Sequence, residues 1–157
     1  MNTEDVVGLL KQAKVEEALA AADEVEDKKA VAEAITEFAG ALNYKRGHPD
    51  LVEVLLKKSL TLDPGNALTH YNIGVLYTDP DVLEEDDSKA GKAEAAYRNA
   101  LKIEPGFHEA RYNLALLCYF TGRADEAERL YAEIDDAVGD DVRFRKLAMM
   151  LLDGKRQ

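Results

Sequence analysis

The sequence predicts an all-α solenoid of stacked, similar units, and three aligned columns of residues carry that prediction. Ala18, Val52, Ala93 and Ala127 are separated by 34, 41 and 34 positions. A second column, Val6, Gly40, Gly74 and Ala115, keeps steps of 34, 34 and 41, and a third, Ala22, Leu56, Tyr97 and Tyr131, lies four residues beyond the first. A fixed period in the thirties marks a repeat array in which each unit buries its apolar face against the next. No segment sustains the period-two alternation of a half-buried strand, so helices are the expected element throughout.

Composition agrees with a folded array. The chain has 157 residues, of which 46% are hydrophobic, enough for one short array with a core of its own. Its 31 acidic residues outnumber 20 basic ones for a formal charge of -11, which argues against nucleic acid or an anionic membrane as a partner. Cys118 is the single cysteine, so no internal disulfide can form, and a reducing compartment is expected. The run Leu147 to Leu152 is only six residues long, far short of a membrane span. Val6 to Leu10 is likewise too short for the apolar core of a signal peptide. These features together predict cytoplasmic residence.

Each unit can be justified in turn. The first, about residues 1–32, keeps only Val6, Ala13, Ala18, Ala22 and Ala30 in register. The second, 33–66, contributes Ala39-Gly40, Gly47 at the turn between its helices, Val52, Leu56 and Pro64. The third, 67–107, reads His70-Tyr71-Asn72-Ile73-Gly74-Val75-Leu76-Tyr77, then Ala93, Tyr97, Ala100 and Pro105. The fourth, 108–141, reads Arg111-Tyr112-Asn113-Leu114-Ala115, then Cys118, Gly122, Ala127, Tyr131 and Gly139. Small residues at Gly74 and Ala115 let the two helices of a unit approach closely, with Ala93 and Ala127 facing them. Tyr97 and Tyr131 then fill the gap to the next pair. Asp63-Pro64-Gly65-Asn66 and Glu104-Pro105-Gly106 end helices, because proline cannot continue the hydrogen-bond ladder and glycine accepts turn geometry. Val52, Leu56, Gly74, Ala93, Tyr97, Leu114, Ala115, Ala127 and Tyr131 are therefore predicted to be largely buried.

Two departures from the period add detail. Gly74 and Ala93 are 19 apart, against 12 for Gly40 and Val52, so seven residues are inserted in the turn of the third unit, around Thr78 to Gly91. The insertion is acidic, with Asp79, Asp81, Glu84, Glu85, Asp86 and Asp87, and Ser88 is placed to cap the helix that follows. It lacks the alternating ligands and central glycine of a calcium loop, so a solvated surface turn is expected. Beyond the fourth unit, Asp140-Asp141 is predicted to cap a terminal helix from Val142 to Asp153, with Gly154 ending it. Phe144, Leu147, Ala148 and Leu151 form its apolar stripe, from which Met149, Met150 and Leu152 partly depart.

The third unit resembles the tetratricopeptide repeat, whose signature spaces an aromatic, a Leu-Gly pair, a Tyr, an Ala, an aromatic and a Pro over two antiparallel helices. The resemblance covers essentially the whole chain, by motif from Gly40 to Gly139 and by spacing alone before that. It implies a right-handed superhelix of helix pairs with a C-terminal capping helix and a concave groove lined by the first helix of each unit. By register that groove would present Tyr44, Tyr71, Asn72, Val75, Tyr112, Asn113, Leu116 and Tyr119, with Glu37 and Ala41 beside Tyr44. Asparagine amides can bond a peptide backbone in both senses, and tyrosines supply rigid amphipathic contact area. The carboxylate clamp of the heat-shock co-chaperones is not reproduced. Glu37, Ala41, Glu109 and Asn113 stand where Lys, Asn, Lys and Arg would be wanted, and two acids would repel the ligand's carboxylate.

Catalysis has little support. His48, His70 and His108 are scattered, with no helical ligand spacing and no paired cysteines, so no metal or cofactor is expected. The glycines lie at helix contacts and turns rather than clustered after a strand as a phosphate cradle requires. Cys118 reads as a small buried hydrophobe. A non-catalytic scaffold that binds a peptide or helical segment of another protein is the favoured reading. Self-assembly through the terminal helix or an end of the array is the alternative. An enzyme or small-molecule site has the least support.

Overall fold

The computed structural model describes residues 1–45, 47–79, 86–138 and 142–155 and contains, among these, nine helices and no strand. They are α1 (Thr3–Lys11), α2 (Val15–Glu24), α3 (Lys28–Tyr44), α4 (Pro49–Leu62), α5 (Ala67–Tyr77), α6 (Lys89–Ile103), α7 (His108–Phe120), α8 (Ala124–Val138) and α9 (Val142–Lys155). The closest packing joins α1 to α2, α3 to α4, α5 to α6 and α7 to α8, and each pair then leans on its neighbours, with α9 against α8. This is serial stacking of antiparallel pairs rather than a closed bundle, the repeat array that the spacing predicts and the tetratricopeptide-type fold that the resemblance implies.

Local chemistry sets the helix ends. Asn2 and Asp5 form a reciprocal capping box at the start of α1, and the Asn66 side chain accepts from the Leu68 and Thr69 amides at the start of α5. Pro49 occupies the first turn of α4, where its missing N–H is not needed. Gly122 takes φ +82° in the turn between α7 and α8, a conformation that costs glycine little.

The predicted columns form the core. Val6, Ala18, Val52, Ala93, Ala115 and Ala127 are all fully buried, as are Ala22 and Leu56, while Tyr97 is 1% exposed. Gly74 sits so close to the Tyr97 ring that a Cβ placed there would lie 2.4 Å from a ring carbon. Replacing Ala115 or Ala127 with leucine should therefore destabilise the chain by about 1–3 kcal/mol, since overpacking forces the helices apart. Chemical denaturation of each variant checks this.

Tyr131 is largely but not fully buried, packed against the core at the last of the stacked pairs, where α9 covers α8. Two expectations need correction. Ser88 occupies the N-cap position of α6, but its side chain makes no capping hydrogen bond. Its hydroxyl and amide both donate to Asp86 Oδ1, at 2.6 and 3.0 Å, so the carboxylate two residues back takes the turn. Helix α9 does not stop before Gly154 but runs to Lys155, and Gly154 instead faces the Tyr119 ring. The central residues of the insertion, 80–85, and the Asp140-Asp141 cap lie outside the described residues.

Candidate peptide-binding cleft

Helices α5 and α7 lie in adjacent units and expose a shared face. Val75 and Thr78 come from the end of α5 and its cap, Asn113, Leu116, Leu117 and Phe120 from α7, and Tyr97 from α6 beneath them. Together they enclose a cleft of about 360 Å³. Its walls are chiefly aliphatic and aromatic, and Phe120 stands 72% exposed at its edge. A large apolar side chain held in water beside an apolar depression is the arrangement that burial against a partner relieves.

The cleft also has oriented polar groups. The Tyr97 hydroxyl lies 3.1 Å from Thr78 Oγ1, which itself bonds the Gly74 and Val75 carbonyls. Burial pushes the Tyr97 phenol well above its ordinary pKa, so it stays neutral. The Asn113 amide donates to the Tyr71 hydroxyl at 3.4 Å. Tyr71 in turn packs on Phe107 at 4.9 Å and Tyr97 at 6.1 Å between ring centres. That aromatic cluster fixes the spacing of the two units behind the cleft.

Of the residues the sequence nominates, Val75, Asn113 and Leu116 are brought together in this cleft, with Tyr71 directly behind Asn113. Tyr119 and Tyr112 are half-buried on α7, Tyr119 with its ring edge-on to Phe120 at 5.4 Å. Tyr44 stands apart, 90% exposed at the end of α3. Asn72 is 8% exposed, and its amide donates back to the Thr36 carbonyl at 3.4 Å over Gly40, an inter-unit bond rather than an open contact. Thr78, Tyr97, Leu117 and Phe120 were not nominated. Phe120 follows Tyr119 at a helix end, and the aromatic pair was the signal available.

The rear of the same pair of units is held by charge. Arg123, in the turn before α8, grips Glu94 of α6 with two bonds of 2.7 and 2.8 Å, and Arg98 links Glu94 to Glu126. The Arg123 guanidinium, with Arg98, pulls the Glu94 carboxyl down to about 2. A carboxylate whose pKa falls on folding stabilises the fold above its unfolded value and loses that contribution as the pH drops through the folded value. The stability advantage of the native chain over Glu94→Gln should therefore be full above pH 4.5 and vanish as the pH approaches 2. Paired thermal melts across that range test it. Between the second and third units, Tyr77 donates to Glu53 at 2.9 Å, and burial with this carboxylate pushes its phenol up to about 12.

Cys118 is buried beside this network, and burial raises its thiol pKa, which keeps it un-ionised. Among the described residues there is no cluster of metal-ligating side chains. No described helix is long and apolar enough to cross a membrane.

The family model described as tetratricopeptide repeat matches residues 86–150. No curated protein matches the chain. Among solved structures, the chain is similar to a thermophilic tetratricopeptide-repeat protein of Thermus thermophilus, at 25% identity and a TM-score of 0.56, over 92% of this chain and 76% of that one. Its fold is also similar to that of a human IFIT1 dimer with m7Gppp-AAAA, at 19% identity and a TM-score of 0.60, over 96% of this chain and 35% of that one. A monomeric mutant of IFIT1 with Gppp-AAAA is similar at 16% identity and a TM-score of 0.58, over 96% of this chain and 40% of that one. The chain spans less than half of each IFIT1 structure, and these two likenesses concern fold alone.

Proposed function

We propose that the chain, which is similar in fold to tetratricopeptide-repeat proteins and matches their family model over residues 86–150, is a non-catalytic scaffold of that kind that binds a segment of a partner protein in the cleft between α5 and α7. The carrying observation is the apolar cleft walled by Val75, Leu116 and Leu117 with Phe120 exposed beside it. An aliphatic or aromatic side chain of the partner enters between these walls, and Asn113 bonds the partner's backbone. Tyr112 and Tyr119 extend the contact along α7, and Tyr71 braces it from behind. The excess of acidic residues favours a partner segment of neutral to basic character, an effect that salt weakens. The protein acts as a cytoplasmic scaffold with no catalytic step of its own. Self-assembly through the ends of the array would use surfaces distinct from this cleft.

A peptide array probed with the chain at low and moderate salt tests the proposal. Neutral and basic peptides carrying a large apolar residue should be captured, and Leu116→Asp or Phe120→Ala should reduce capture at least tenfold. Phe120 is 72% exposed, so the melting temperature of Phe120→Ala should move little, whereas Leu116 packs partly against the core and its variant is compared by capture per folded chain, read by circular dichroism. Enrichment of acidic peptides, or capture indifferent to both changes, would refute it.

A further inference from the structure

The first helix pair and the terminal helix α9 carry opposite charge. Residues 1–27 hold eight acidic side chains against Lys11 and Lys14, a net of -6. Helix α9 holds Arg143, Arg145, Lys146 and Lys155 against Asp153, a net of +3. Opposite charge on these two elements is a physical reason for α9 of one copy to seek the first helix pair of another.

Both ends also leave apolar surface uncovered. An open groove of about 770 Å³ runs between α1 and α2, lined by no residue of α3 or beyond. Its floor is made of Gly8, Leu9, Ala20 and Ala21, and exposed Glu4, Glu17 and Glu24 stand along its sides. Gly8 has nothing within 4 Å of the place a Cβ would take, so the floor is shallow and free of obstruction. Small residues let a helix approach closely, since the distance between packed helices is set by the side chains at the contact. On α9, Leu147 and Leu151 are buried toward the array, while Lys146 and Met149 are exposed, Met149 to 66%. Methionine adapts its shape to an irregular apolar floor.

We propose that copies of this chain associate head to tail, the Lys146–Met149 face of α9 seating in the groove between α1 and α2 of the next copy. Met149 covers the Gly8, Ala20 and Ala21 floor, and Lys146 meets the glutamates on the groove's sides. Each such ion pair is exposed and weak by itself, so the charges select the orientation and the apolar floor supplies the affinity. The two surfaces differ, so the contact is heterologous: every pair retains one free groove and one free α9 face. Association therefore extends into chains or closes into rings.

Sedimentation of the full chain over a wide concentration range tests this. The average mass should rise above that of one 17.4 kDa chain without levelling at two copies, and added salt should lower it. Gly8→Lys fills the groove without a clash, and Lys146→Glu with Met149→Glu reverses the α9 face. Each variant alone should remain a single chain, and an equal mixture should stop at a dimer of one copy of each, because each retains the surface the other has lost. Helical circular dichroism and melting temperature confirm that both fold. Phe120→Ala, which alters the cleft between α5 and α7 at a side chain that is 72% exposed, should assemble like the native chain, which separates this proposal from peptide binding. A native chain that stays single at every concentration, a plateau at two copies, or assembly undiminished in either end variant would overturn it.

Discussion

Replacing Tyr97 with alanine should destabilise the chain by about 3–5 kcal/mol, the range found for deleting a fully buried aromatic side chain. The ring is 1% exposed, lies against Gly74, neighbours Tyr71 at 6.1 Å and bonds Thr78 through its hydroxyl. Its removal opens a void between α5 and α6 directly under the cleft, and helix backbones held apart by other contacts cannot collapse to fill it. Against a typical domain stability of about 5–15 kcal/mol, that loss is a large fraction of the whole. Tyr97→Phe keeps the ring and gives up one hydroxyl bond, so it should lose only about 1 kcal/mol. Urea unfolding reads both as shifts in midpoint at constant slope.

The second large effect belongs to the residue that faces Tyr97. Gly74→Ala places a Cβ within 2.7 Å of three atoms of a ring that has nowhere to go. Overpacking of this kind costs about 1–3 kcal/mol or more, which outweighs the roughly 1 kcal/mol that alanine gains over glycine in a helix. Because the clash is with Tyr97 itself, Gly74→Ala should be far less damaging when Tyr97 is already alanine, a non-additivity expected of residues in contact. Gly8→Ala is the internal control. It is also helical but faces open space, so it should stabilise by about 0.5–1 kcal/mol.

The fold was legible because its constraints repeat. A helix contact that admits only Gly or Ala, and a proline that ends a helix, recur at fixed steps, so Gly74, Ala93, Ala115 and Ala127 could be placed from spacing alone. The cleft was legible in part. Register tells which helix face turns toward the concave side, and it located Val75, Asn113 and Leu116. It does not resolve the rotation of a helix by one residue. Asn72 and Asn113 occupy equivalent positions, yet the Asn72 amide turns back to Thr36 while that of Asn113 reaches Tyr71 at the cleft. The small Gly40 beneath Asn72 gives its amide room to do so. Tyr97 belongs to a second helix and reaches the cleft only through the close approach at Gly74, a tertiary effect. Gly154 reads as a helix stop in sequence, but glycine permits a stop without requiring one, and the helix runs through it to Lys155.

The most direct test of the peptide-binding account is a methyl-labelled NMR titration of the full chain with a peptide captured on the array. The methyl groups of Val75, Leu116 and Leu117 and the side-chain amide of Asn113 should shift together with one affinity. Those of Val6 and Leu9, at the far end in α1, should stay in place. Shifts confined to α1 and α2, or spread over the chain with the cleft methyls unmoved, would contradict binding between α5 and α7.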